Sequence, residues 1–182
     1  MDRETLTASI EAILLTANGP VAVSALVEAL DDNDAGAEQV EDALASMVAA
    51  WDRPESGIRL EKIADGWRCV TPAPLDSYLR SYHGIAARQR LSQAALEVLA
   101  IVAHRQPVTL PEINFIRGAN SASVVRTLLE RKLLRMAGRK KVVGKPFLYR
   151  TSKGFLIHFG LERPEDLPDP EELVRDETIS AD

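Results

Sequence analysis

The chain carries one short plan twice. Ala17-Asn18-Gly19-Pro20-Val21 sets against His104-Arg105-Gln106-Pro107-Val108, and downstream Leu26 falls on Ile113. Such self-similarity constrains the fold before composition does, because a single supersecondary plan must satisfy both copies. At 182 residues there is room for two small domains, each with its own core. The first copy reads as helix Leu6–Ala17, helix Val23–Leu30, an acidic turn Asp31–Gly36 and helix Ala37–Trp51. Apolar residues recur every three or four positions, as in Leu6, Ile10, Ile13 and Leu14, or Val40, Leu44, Met47, Val48 and Trp51. Ile58–Ile63 and Trp67–Thr71 alternate as strands, with Asp65-Gly66 as the hairpin turn between them. Leu75, Tyr78, Leu79 and Tyr82 predict a closing helix over 72–82, and 83–90 reads as a linker.

The second copy begins at Leu91-Ser92, with Ser92 as the N-cap of a helix that runs to about His104. Gln106-Pro107 breaks it. Thr109-Leu110-Pro111-Glu112 is a capping box, and Gly118 ends the helix that follows. Asn120-Ser121 caps a third helix to about Lys132. Leu133–Met136 and Phe147–Arg150 predict a hairpin whose basic tip is Ala137–Pro146, followed by a helix over Thr151–Phe159. Three helices and then a hairpin is the order of a winged helix-turn-helix. The expected fold class is therefore mainly α with small β-hairpins (α+β): two tandem winged helix-turn-helix domains, 1–82 and 83–160. An acidic tail over 161–182, rich in proline, is expected to be mostly disordered.

Charge separates these segments. Residues 1–82 are net −9, 83–160 net +11 and 161–182 net −7, within a total of −5. The basic middle asks for an acidic partner, although the acidic arms compensate it equally well within one protein or dimer. One cysteine, Cys69, excludes an internal disulfide and fits a reducing cytoplasm. The first residues are polar and periodic, unlike a signal peptide or a membrane span. His83, His104 and His158 stand far apart and not at metal spacing with Cys69. No phosphate loop or catalytic constellation appears, so neither an enzyme nor a cofactor is expected.

Two uses of the basic module remain. In a DNA reader the third helix enters the major groove and the wing touches phosphate. Here Ser123, Arg126, Thr127, Glu130 and Arg131 point outward, and Glu130 lies one turn from Arg126 and can pair with it. That leaves a mixed face in place of a basic reading head. In the wing, Arg139, Lys140, Lys141 and Lys145 are candidate phosphate contacts, and a solvated cationic hairpin explains them equally well. The first module's third helix carries Glu38, Glu41 and Asp42 and no cation, which suits protein contact. On these residues alone, a winged-helix transcriptional regulator and a subunit of a protein complex stand level.

The run LSQAALEVLAIVAHRQPVTLPEINFIRGANSASVVRTLLERKLL, then GRKKVVGKPFLYRTSKGFLIHFGLERPEDLP, closely resembles segregation and condensation protein B (ScpB). The likeness extends more loosely to about Thr5, with Val143 and Lys145 as departures in the wing. The resemblance implies a non-enzymatic subunit of the bacterial SMC condensin-like complex, acting in chromosome condensation and partition. It implies a homodimer formed through the first module. It implies binding of the kleisin ScpA, association with the SMC ATPase through the complex, and only weak or indirect contact with DNA. The location implied is cytoplasmic, on the nucleoid, with no membrane contact. Leu14, Leu15 and Trp51 are the expected dimer residues, as apolar side chains beyond the first module's core needs. Arg117, Asn120, Arg139, Pro146 and Tyr149 are the expected kleisin contacts, with Arg117 and Arg139 for acidic side chains and Tyr149 as an apolar anchor.

Overall fold

The computed structural model describes residues 2–30, 35–84 and 90–168. Two compact units divide the chain, Met1–Arg90 and Leu91–Asp182. The acidic turn expected at Asp31–Gly36, the linker expected at 83–90 and the end of the acidic tail lie largely outside the described residues.

In the first unit, α1 (Arg3–Thr16), α2 (Val23–Ala29) and α3 (Ala37–Trp51) precede a hairpin of β1 (Arg59–Ile63) and β2 (Gly66–Val70). Asp2 starts α1 by accepting the Thr5 amide at 2.9 Å and the Thr5 hydroxyl at 2.8 Å, which holds its carboxyl below the usual range. Leu6, Ile10 and Leu14, spaced by four, put one stripe of α1 into the core. Val40, Ala43, Leu44 and Met47 of α3 meet it, with Leu26, Leu30, Ala35 and Leu60 filling between. Each fully buried aliphatic side chain there contributes about 1.5–3 kcal/mol.

Two local expectations change. The β1–β2 register pairs Ile63 with Gly66, so the turn is Ala64-Asp65, at φ 49° and 56°. Both central residues thus occupy the left-handed region that a tight two-residue hairpin demands. Gly66 serves another need: a Cβ there would stand 3.0 Å from the carbonyl carbon and oxygen of Val21. That close approach exists because Val21 and Trp67 exchange two backbone hydrogen bonds of 2.8 Å. The closing helix is also shorter than 72–82. A 3-10 turn, Ala73–Leu75, leads into α4 (Asp76–His83), whose Tyr78 and Tyr82 lie 72% and 85% exposed. Leu75 and Leu79 alone are half-buried, so the tyrosines at helical spacing are surface residues.

The second unit runs α5 (Gln93–Arg105), β3 (Val108–Thr109), α6 (Leu110–Arg117), α7 (Ala122–Glu130), β4 (Leu134–Arg139), β5 (Phe147–Thr151) and α8 (Lys153–Phe159). Ser92 caps α5 by accepting the Ala95 amide, and Gly118, at φ 72°, ends α6. Val98, Leu99 and Val102 of α5 share their burial with Ile113, Val125, Leu128, Leu134, Tyr149 and Phe155. The sheet order is β3-β5-β4, antiparallel throughout. Two residues are too few to show strand alternation, so β3 carries no signal of its own in the sequence. Its pairing of Val108 with Tyr149 is the counterpart of Val21 with Trp67 in the first unit, so the repeat extends to a main-chain bridge. The start of the expected tail is structured: Leu161 donates to the Leu156 carbonyl at 2.9 Å, and Asp166 caps a 3-10 turn, Pro164–Asp166, through the Arg163 amide at 2.7 Å.

Candidate functional site

The helices and sheet of the second unit, ahead of its acidic end, hold very few acids, and each is already paired. Between Leu91 and Gly160 they are Glu97, Glu112 and Glu130. Glu97 meets Arg117 at 2.9 Å, and Arg117 also reaches toward the Ser121 hydroxyl at 3.5 Å, joining α5 and α6 to the start of α7. Glu130 meets Arg126 at 3.0 Å on the outer face of α7, one turn apart as the spacing implied. Glu112 accepts the amide and hydroxyl of Thr109 at 2.8 and 2.7 Å and also binds the Lys140 ammonium. Those three donors, Lys140 foremost, hold the Glu112 carboxyl down to about 2. The capping box thus also anchors the root of the wing.

A cluster of cations without a carboxylate partner lies in the wing. Arg135, Arg139, Lys141, Lys145 and Arg150 are exposed, and no carboxylate pairs with any of them among the described residues. Arg139 is positioned rather than free-swinging: its guanidinium carbon lies 3.9 Å from the Phe147 ring centroid and it donates to the Lys145 carbonyl at 3.1 Å. The tip is closed by Lys140 donating to the Pro146 carbonyl and Lys145 to the Val142 carbonyl, both at 2.9 Å. Gly144 and Lys145, at φ 82° and 38°, make that reversal. Val143 stands fully exposed at its end.

Several expected contact residues sit elsewhere than anticipated. Tyr149 is only 8% exposed, because β5 turns it and Thr151 toward the core; it is not a surface anchor. Leu14 is buried by the α1 stripe, and Trp51 packs against the same core while its carbonyl takes a 2.7 Å bond from Arg59. Neither is surplus to the first unit, whereas Leu15 is 76% exposed. Arg117 is largely enclosed by its ion pair with Glu97. Asn120 is exposed and its side-chain oxygen accepts the Ala122 amide at 3.0 Å, opening α7. Pro146 is half-buried at the wing tip. Sequence reasoning passed over Arg135 and Arg150, whose placement follows from strand alternation around Tyr149, and over Phe115, 88% exposed on α6. Among the described residues no group of histidine, cysteine and acidic side chains is arranged to hold a metal, and no helix is long and apolar enough to cross a membrane.

Two units of three helices and a hairpin, with the reading helix self-paired and the free cations in the wing, define a tandem winged-helix protein. The sequence profile of the family described as segregation and condensation complex subunit ScpB matches residues 8–170. The chain belongs to that family. A segregation and condensation protein B of Syntrophotalea carbinolica is 41% identical over 174 residues, covering 96% of this chain and 86% of that one. One from Alkaliphilus oremlandii is 35% identical over 182 residues, covering 100% and 95%. The crystal structure of ScpB from Mycobacterium tuberculosis, 35% identical, covers 88% of this chain and 98% of its own at a TM-score of 0.43.

Proposed function

We propose that this chain is a non-enzymatic accessory subunit of an SMC condensin-like complex, in which a homodimer holds the kleisin ScpA and supports chromosome condensation and partition. The observation that carries the reading is the family match from residue 8 to residue 170, which spans both winged units. In this reading the first unit dimerises, the second holds the kleisin, and the subunit works in the cytoplasm on the nucleoid through the complex. Leu15, Tyr78 and Tyr82, the most exposed large apolar and aromatic side chains of the first unit, are the ones it offers a second copy. Asn120, Arg139 and Pro146 are the residues offered to the kleisin. Co-purification with ScpA, with the mass measured in solution, tests the reading. A complex containing two copies of this chain supports it; a monomer that fails to retain ScpA refutes it.

Sequence-specific regulation of transcription is disfavoured by the 3.0 Å pair between Arg126 and Glu130 on the face that would read bases. Of the wing-tip cations expected to touch phosphate, Arg139, Lys141 and Lys145 are available, since Lys140 is engaged by Glu112. Duplex binding that is weak, unselective and steeply salt-dependent is the expected result of a salt titration.

A further inference from the structure

Alternation along β4 and β5 turns Leu134, Tyr149 and Thr151 to the core and sends Arg135, Ala137, Leu148 and Arg150 to the opposite face of the sheet. There, together with Pro107, they line a shallow open groove of about 350 Å³. Arg135 and Arg150 are direct cross-strand partners in the register. Side chains so paired have Cβ atoms about 5 Å apart, and like charges at that distance oppose strand pairing. Among the described residues no carboxylate pairs with either arginine, and Glu97, Glu112 and Glu130 are held by Arg117, Lys140 and Arg126. Between the two guanidiniums the floor is aliphatic: Leu148 and Ala137 half-buried, with Pro107 at the margin.

We propose that this groove is a docking site for an extended acidic segment of a partner protein. Its carboxylates lie on Arg135 and Arg150, and an aliphatic side chain between them rests on Leu148. Each planar guanidinium offers a fork that matches a carboxylate, and a bound carboxylate relieves the repulsion across the strands. A phosphodiester backbone has no use for the aliphatic floor, which is what favours a peptide. The inference rests on the kleisin reading only for the parent of the segment, and it adds to that reading a surface that the family match does not supply.

The test uses the full chain and a short fluorescein-labelled peptide of glutamates interspersed with leucines, followed by anisotropy. Binding is expected, together with at least about a tenfold loss in Arg150→Glu, the usual scale for reversing a contacting charge. The same variant should melt at an unchanged or higher temperature, because a repulsive cross-strand pair becomes an attractive one. Lys141→Ala/Lys145→Ala at the wing tip should bind within about twofold of the unaltered chain, as expected for charges outside the contact. A peptide with glutamine in place of glutamate should not bind. Failure of the unaltered chain to bind the acidic peptide overturns the proposal. So does an equal loss in the wing-tip variant, which marks diffuse attraction. So does loss in Arg150→Glu of binding to a random DNA duplex with peptide binding retained, which marks a phosphate site. Co-purification of the unaltered chain with ScpA is scored separately: if ScpA is not retained while the peptide binds, the kleisin reading fails and the groove stands.

Discussion

Gly154→Ala is expected to destabilise the second unit, against the ordinary rule for a glycine in a helix. Gly154 lies in the first turn of α8, where replacing glycine by alanine normally stabilises by about 0.5–1 kcal/mol. A Cβ there would stand 2.5 Å from the carbonyl oxygen of Lys132, closer than side chains are found. That carbonyl cannot easily yield. It accepts the Ser152 hydroxyl, and its residue is fixed at φ 57° by the bonds that end α7, Lys132 to the Leu129 carbonyl and Leu133 to the Leu128 carbonyl, both at 2.9 Å. Forced overpacking typically costs about 1–3 kcal/mol. Net destabilisation is then about 1–2 kcal/mol, since the helix gain offsets only part of that cost. For a unit of this size that lowers Tm by about 5–10 °C. Both tryptophans, Trp51 and Trp67, belong to the first unit, so two probes separate the units. The far-UV circular dichroism transition should gain a lower-melting component while the tryptophan fluorescence transition stays in place. An unchanged or raised circular dichroism transition would refute the argument from Lys132.

Leu14→Ala should destabilise the first unit by about 2–5 kcal/mol in urea unfolding, as for any leucine lost from a close-packed core. Leu15→Ser, by contrast, should leave unit stability within about 0.5 kcal/mol and shift the solution mass toward monomer, because Leu15 touches solvent. The Glu112 carboxyl is depressed to about 2, so its contribution is complete above the ordinary value of 4.5 and is lost as pH falls from there toward 2. Urea midpoints measured across that window should fall in the unaltered chain, and Glu112→Gln should lack this component while being less stable at neutral pH. Lys132→Gly should raise the second unit's stability by about 0.5–1 kcal/mol, since a left-handed residue without a Cβ escapes the strain at φ 57°.

Where physics acts over a few neighbouring residues, the sequence was enough. Thr109 and Glu112, Ser92 and Ala95, and Gly118 after α6 behave as their spacing implies, because a cap depends on three or four residues and little else. The i, i+4 pairing of Arg126 with Glu130 followed for the same reason. What escaped depends on partners distant in sequence. Gly66 looked like a turn residue, yet its role comes from Val21 pressing on the hairpin. Tyr78 and Tyr82 have the spacing of core residues, and periodicity alone does not say whether anything covers a helix face. Tyr149 has a type suited to an interface, but the parity of β5 decides which way it points. Arg135 and Arg150 became neighbours only once the register of the wing was known, which the bulge between Met136 and Arg139 obscures.

The bridges Val21–Trp67 and Val108–Tyr149 also bear on how each unit folds. Each joins residues more than forty positions apart, whereas the helices and hairpins close over short distances, so the loop to be closed is long. The bridge therefore forms after the three helices and the hairpin, as the final clasp of each unit. In pulsed hydrogen exchange during refolding, the amide of Val21 should gain protection later than those of α1 and α3.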